Sequence, residues 1–231
     1  MIVLGVDGCP RGWIAVRADL AAADWRVVVY ERFADLLSDA GADVRVIGVD
    51  SPIGLPEEGG RECDRLARFA LGPRRSSVFN PPSRRLLALI DGLPYREANA
   101  RAQRELGHGI GAQAFNIFPK VREVDALMTP ERQRAVREVH PELCFTEMTG
   151  APCHWPKRLT IGRDERWARL RAACSWLGAA PRRHPSGAGE DDLLDALAAA
   201  WTAARLARGT ARSLPSVTVR DPRGLAMEVC I

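Results

Sequence analysis

The sequence predicts an α/β fold built on a mixed sheet, antiparallel across its first three strands and parallel across its fourth and fifth. Three observations carry this. Residues 2–6 (Ile-Val-Leu-Gly-Val) and 44–49 (with Val44, Val46, Ile47, Gly48 and Val49) are short apolar runs, each halted by an acid, Asp7 and Asp50. Such runs suit strands buried on both faces. The links joining 2–6, 13–17 and 25–30 are too short for a helical crossover, so these three strands form an antiparallel meander. Phe33, Leu36 and Leu37 then recur at helical spacing, and a helix between strands makes a right-handed crossover that sets the fourth strand parallel to the first.

Beyond Asp50 the chain turns irregular and polar. Residues 51–62 read as a Pro/Gly/Glu loop, 61–71 as a short helix, 72–85 as an Arg/Ser/Pro-rich loop and 94–106 as a helix. Gln113 to Asp125 reads as a loop anchored by Phe115, Ile117 and Phe118. Val136 to Val139 is the expected fifth strand. Residues 163–178 form an amphipathic helix, 179–189 a Gly/Pro-rich linker, 190–207 the most regular helix of the chain, and Leu225 to Ile231 a terminal strand. The expectation is a single domain over residues 1–231, with a long insertion at about 51–137 between the fourth and fifth strands.

With 231 residues, 46% apolar and 27% charged, the chain can bury a core without disulfide or zinc staples. Its 33 basic and 29 acidic residues leave +4, which permits a nucleic-acid partner without demanding one. Only Lys120 and Lys157 are lysines, an arginine bias that extends to every surface helix and reads as GC-rich coding. Six cysteines lie scattered without a C-x-x-C pair, and the four histidines show no zinc-finger spacing around them. The start, Met-Ile-Val-Leu-Gly-Val-Asp, is no signal peptide, and no apolar run approaches the ~18 residues of a membrane span. These features predict a cytoplasmic protein with reduced thiols and no membrane partner.

The informative feature is where the acids fall. In open α/β sheets the ligand crevice lies beyond the carboxyl ends of the strands. If the first and fourth strands are neighbours, ~4.8 Å apart, Asp7 and Asp50 reach one common point. Two carboxylates so placed repel, whereas Mg²⁺ or Mn²⁺ between them turns repulsion into attraction. Asp before Gly also caps turns, so it is the pair on predicted neighbours that points to a site. The third contribution is the helix opening Glu190-Asp191-Asp192-Leu193-Leu194-Asp195. First-turn acids favour the helix dipole without any ligand, which accounts for Asp191 and Asp192. Helical geometry sets Asp191 and Asp195 on one flank of the apolar stripe, with Asp192 further out. Asp195, one turn inside and bordering buried leucines, needs a partner.

Other residues add to this constellation. Arg74, Arg75, Ser76, Ser77, Arg84 and Arg85 fit phosphate binding and equally a solvated loop in an arginine-rich chain. Gln113, Asn116, Lys120, Arg122 and Glu123 crowd polar groups among apolar anchors, which suits a substrate-facing loop. Glu142 follows the fifth strand and is a candidate fourth ligand or general acid/base, with His140 either orienting it or structural. Cys9, near Asp7, lacks a histidine base in sequence and reads as a packing residue.

The order strand, strand, strand, helix, strand, later strand, helix is that of the ribonuclease H-like fold. Gly5-Val6-Asp7-Gly8-Cys9-Pro10-Arg11-Gly12-Trp13, Val49-Asp50-Ser51-Pro52-Ile53-Gly54-Leu55, Arg75-Ser76-Ser77-Val78-Phe79, Asn116-Ile117-Phe118-Pro119-Lys120-Val121-Arg122-Glu123, Glu138-Val139-His140-Pro141-Glu142 and Asp191-Asp192-Leu193-Leu194-Asp195-Ala196 span nearly the whole chain. Together they resemble a widespread bacterial family of predicted RNase H-like nucleases, a domain of unknown function in the ribonuclease H-like superfamily. Asp192-x-x-Asp195-Ala-Leu-Ala is also similar to the last motif of RuvC-type junction resolvases. The resemblance implies a fold in which acids on the first strand, the fourth strand and a C-terminal helix bind metal. The expected function is Mg²⁺- or Mn²⁺-dependent hydrolysis of nucleic acid, DNA or RNA. Asp7, Asp50 and Asp195, helped by Asp192 or Glu142, would hold two ions about 4 Å apart. The alternatives are an ATP-dependent phosphotransferase of the actin/sugar-kinase type, which generally needs two such domains, and a non-catalytic nucleic-acid-binding module that keeps the fold.

Overall fold

The computed structural model describes residues 1–178 and 184–231, so positions 179–183 of the expected linker lie outside it. Five strands, β1 (Ile2–Cys9), β2 (Gly12–Asp19), β3 (Asp24–Tyr30), β4 (Val44–Val49) and β5 (Val136–Glu138), form one mixed sheet in the order β3-β2-β1-β4-β5. β1/β2 and β2/β3 pair antiparallel, while β1/β4 and β4/β5 pair parallel. Helix α1 (Phe33–Ala40) makes the crossover between β3 and β4. β1 runs further than its apolar stretch: Asp7 pairs with Ile14 inside the ladder, and only Pro10 and Arg11 separate the two strands.

Between β4 and β5 lie α2 (Glu62–Leu71), a 3₁₀ turn (Gly72–Ser77), α3 (Arg84–Leu89), α4 (Tyr95–Leu106), α5 (Ala112–Leu127) and a second 3₁₀ turn (Arg132–Arg134). The stretch from Gln113 to Asp125 is therefore a helix and not the expected loop. Phe115, Phe118, Val121 and Val124 recur every three residues and bury the last three of that row, and this packing outweighs Pro119 inside the helix. Three further elements escaped the sequence reading, among them α3, whose first two residues fall within the expected 72–85 loop. Helix α6 (Pro141–Thr149) has a proline in its first turn and closes on left-handed Gly150, φ 77°. After α7 (Thr160–Ala173) and α8 (Glu190–Arg208), strand β6 (Ser213–Arg220) pairs antiparallel with β7 (Ala226–Cys230). β6 carries Pro215, which argues against a strand when only sequence is read. A bridge from Cys230 to Val139 attaches this hairpin beside β5.

The sheet is buried on both faces, as its unbroken apolar runs require. One face packs Val3, Ile14, Val16 and Val46 against α8 and Trp167 of α7; the other packs Leu4, Val6, Trp13, Ile47 and Val49 against Phe33, Leu36 and Val124. A separate small core (Leu86, Ile90, Ala98, Ala102, Ile110, Phe118) holds α3, α4 and α5 together. No described helix is long and apolar enough to cross a membrane, and all six cysteines are free and buried.

Helix α8 sits with its backbone directly on the sheet. A Cβ added to Gly5 would stand 2.0 Å from Ala200 N and 2.1 Å from Ala196 O, and one on Gly48 would stand 2.8 Å from Ala199 O. These are backbone atoms that cannot swing away. Gly5→Ala is therefore expected to destabilise the protein by about 3 kcal/mol. Gly60→Ala, in open space, should stay within about 0.5 kcal/mol. Urea unfolding midpoints of the two variants check this contrast.

Candidate metal centre and cleft

Side chains two residues apart on a strand share a face. Gly5 and Gly48 face α8, so Asp7 and Asp50 face it too. Val6 pairs with Val49, and Asp50 N donates to Val6 O at 2.9 Å, which carries the parallel ladder one step further and leaves the two acids side by side. Asp195 enters from above. It lies four residues before Ala199, one helical turn of about 6 Å, while Asp50 lies two residues past Gly48, about 6.6 Å along the strand. The contact of Ala199 with Gly48 therefore brings Asp195 over Asp50.

Asp7 and Asp195 are buried and Asp50 is half-buried. Burial pushes the Asp7 carboxyl well above the usual carboxylate range, and the charges of Asp50 and Asp195 push it further. Burial also raises Asp50, against the pull of His140 and Lys157. Asp195 is raised to about 6 by burial, with Lys157 opposing and Asp50 adding. Asp7 Oδ1 accepts from Gly8 N at 2.7 Å. Among the described residues, the full cation set against the three acids is Lys157, whose ammonium pairs with Asp195 Oδ2 and feels the charges of Asp7 and Asp50. Asp192 reaches back to accept from Gly189 N at 2.8 Å, and its charge adds to the burden on Asp7.

A cleft of about 480 Å³ opens beside these acids, lined by Asp50, Glu142, Lys157, Arg158 and Asp195 with Arg74, Ser76, Ser77, Gln113 and His140. Glu142, at the start of α6, is gripped through Oε1 by Arg166 and by Arg74 at 3.3 Å, while its Oε2 is buried without a partner. Burial alone would raise this carboxyl; the two guanidiniums outweigh it and hold it below the usual range. Such a group stays ionised and is ill-suited to act as a general acid. His140 turns Nε2 towards Ser77 O, 3.3 Å away, and acts on Asp50.

The remaining candidates lie outside this lining. Arg75 and Asn116 are exposed. Lys120 donates to Gly12 O and sits 4.8 Å from the Trp13 ring centroid. Arg122 donates to Leu87 O at 2.6 Å and pairs with Asp91. Glu123 accepts from Trp13 Nε1 at 2.9 Å and from Phe33 N. These last three fasten α5 to its neighbours. Arg84 pairs with Asp125 and Asp221, and Arg85 with Glu58. Cys9 packs in the core under α8, its thiol raised by burial, and is no nucleophile.

Sequence reasoning missed two groups. One is Lys157. The other is Arg61, which grips Glu138 through two bonds of 2.7 Å and Asp64 at 2.7 and 3.0 Å. Glu138 Oε2 also accepts from Ile53 N at 2.7 Å, so this buried cluster ties the loop after Asp50 to the end of β5.

The family described as Protein of unknown function (DUF429) matches residues 5–220. The chain belongs to that family. No curated protein and no solved structure matches it. The DUF429 match takes in β1 from Gly5, all three clustered acids, Glu142, Lys157 and the cleft.

Hard divalent cations take carboxylate oxygens. Asp7, Asp50, Asp195 and the unpartnered Glu142 Oε2 fit such an ion in kind. Among the described residues, no group of three or more His, Cys, Asp or Glu side chains is set to hold a metal as it stands, so the acids would have to close in around it.

A raised folded-state carboxyl favours the protonated protein, so its stabilising effect is present below the unfolded value, about 4, and is lost as pH rises through the folded value. For Asp195 this window runs from about 4 to about 6. The stability of wild type minus that of Asp195→Asn should fall across this window by on the order of 2 kcal/mol. Paired denaturant titrations between pH 4 and 7.5, without metal, measure the difference.

Proposed function

We propose that this protein is a Mg²⁺- or Mn²⁺-dependent nuclease of RNase H-like fold, hydrolysing phosphodiester bonds of nucleic acid at the carboxyl ends of β1 and β4. The observation that carries the reading is the meeting of Asp7, Asp50 and Asp195, from two adjacent parallel strands and the helix across them, in one buried cluster at the end of a polar cleft. The strand order β3-β2-β1-β4-β5, with α8 against the sheet, supports the fold assignment. One fold hosts many activities, so the acid cluster, and not the strand order, is what points to hydrolysis.

Asp7, Asp50 and Asp195 would hold the metal. A bound divalent cation supplies Lewis acidity, lowering the pKa of water and stabilising charge on phosphate oxygens. The rest of the cleft handles the strand. The Ser76 hydroxyl, the Gln113 amide and the Arg74 and Arg158 guanidiniums present hydrogen-bond donors that suit phosphate and sugar oxygens. Among the described residues no Phe, Tyr or Trp lines the cleft, which favours contact with the backbone over base stacking. Glu142, held ionised by buried Arg166 and by Arg74, keeps Arg74 in place on the cleft wall.

A second reading, a nucleic-acid-binding module without turnover, draws on the Lys157–Asp195 pair, which neutralises part of the cluster without metal. Cleavage assays separate the two. With Mn²⁺ and labelled single- and double-stranded DNA and RNA, wild type should cut at least one substrate and stop on chelation. Asp7→Asn and Asp50→Asn, with circular dichroism unchanged, should lose at least about a hundredfold in rate, the scale on which even outer-shell partners of metal sites act. Variants that fold and cut at the wild-type rate would remove the assignment.

A further inference from the structure

Among the described residues the buried acids Asp64, Glu138, Glu142 and Asp221 are all paired with arginine: Asp64 and Glu138 with Arg61, Glu142 with Arg166, Asp221 with Arg84. Asp195 is paired with lysine, in a chain where only two of 33 basic residues are lysines. The difference is chemical. A guanidinium fork locks on a carboxylate through parallel bonds, whereas an ammonium is a compact charge on a flexible four-carbon stem and makes no such fork.

The placement of Lys157 matches this chemistry. It lies between α6 and α7, where the chain has no regular structure, yet the backbone around it is fixed. Trp155 O accepts from Arg166 Nη1 at 2.9 Å, Pro156 O from Leu159 N at 3.0 Å and Lys157 O from Arg163 Nη1 at 3.3 Å. Gly162 lets Pro156 pack so closely that a Cβ there would stand 2.1 Å from Pro156 O. The side chain itself is 39% exposed and lines the cleft. A rigid base thus carries an arm that can leave Asp195 by changing rotamers, with no movement of the chain. This one ammonium also feels the charges of all three acids, Asp195 first and then Asp7 and Asp50.

We propose that Lys157 is an exchangeable counter-ion: its ammonium occupies the Asp7–Asp50–Asp195 cluster in the metal-free protein and must vacate Asp195 for a divalent cation to enter. This rests on the metal reading above and adds to it a competition that sets metal affinity. Removing the ammonium strengthens metal binding; replacing it with a group that grips harder weakens it.

The test is Mn²⁺ titration, followed by the electron paramagnetic resonance of free Mn²⁺, on wild type, Lys157→Gln and Lys157→Arg. Thermal unfolding with and without Mn²⁺ is measured in parallel. Lys157→Gln should bind Mn²⁺ about tenfold more tightly than wild type, equivalent to about 1.4 kcal/mol. Its metal-free form should melt lower than wild type and gain more on adding Mn²⁺. Lys157→Arg should bind more weakly than wild type. If wild type binds Mn²⁺ and Lys157→Gln binds no tighter, the exchange is overturned and the metal reading stands. If none of the three proteins binds Mn²⁺, the metal reading falls, and the exchange with it.

Discussion

Helix α8 rests backbone-to-backbone on β1 and β4, and everything chemical in the molecule follows from that contact. Gly5 and Gly48 admit the helix, and each stands two residues before an acid on the same face of its strand. A side chain at either glycine would push α8 away from the sheet, further at Gly5 than at Gly48, and Asp195 would move with it. The alanines where α8 touches the sheet, Ala196, Ala199 and Ala200, serve the same approach from the other side. Glycine is usually a liability inside a strand. Here it fixes the height at which a helix and a sheet bring their carboxylates together.

That closeness has an electrostatic cost that the rest of the site manages. Asp7 and Asp195 are out of water and repel one another through a medium that screens poorly. The Gly8 amide, His140 and Lys157 each offset part of it. The Arg61–Glu138–Asp64 group, which holds the loop at Ile53, contributes by a different route. One guanidinium serves two carboxylates there, and the group anchors Ile53 through both its N–H and its C=O, so the chain leaving Asp50 is held. Exposed ion pairs are abundant on the surface and contribute little by comparison.

Much of this was legible from the amino-acid order. Unbroken apolar runs ending in Asp7 and Asp50 exposed both the central strands and their acids, and the three-and-four spacing around Asp195 placed it on the buried border of its helix. Short connections disclosed the antiparallel meander. What stayed hidden has physical causes. In α5, Pro119 and a polar surface masked a buried row of Phe118, Val121 and Val124, so Lys120, Arg122 and Glu123 read as ligand-facing when they are struts. Pro215 concealed β6. Pro141 and Gly150 did bracket α6 and were readable signals. Lys157 offered no periodicity at all, because it sits in irregular chain between helices; its rarity in an arginine-rich composition was its only mark.

The buried thiols give this architecture a property of a different kind. Cys9, Cys144, Cys153, Cys174 and Cys230 belong to the core beneath α8, and Cys63 to the cluster joining α2 with β7. The small core of α3, α4 and α5 contains none. Alkylating reagents are therefore blind to breathing of that outlying helical lobe and respond only when the sheet parts from α8 or the terminal hairpin loosens. Built into the native chain, with nothing engineered, is a labelling gauge that separates peripheral fraying from opening of the centre.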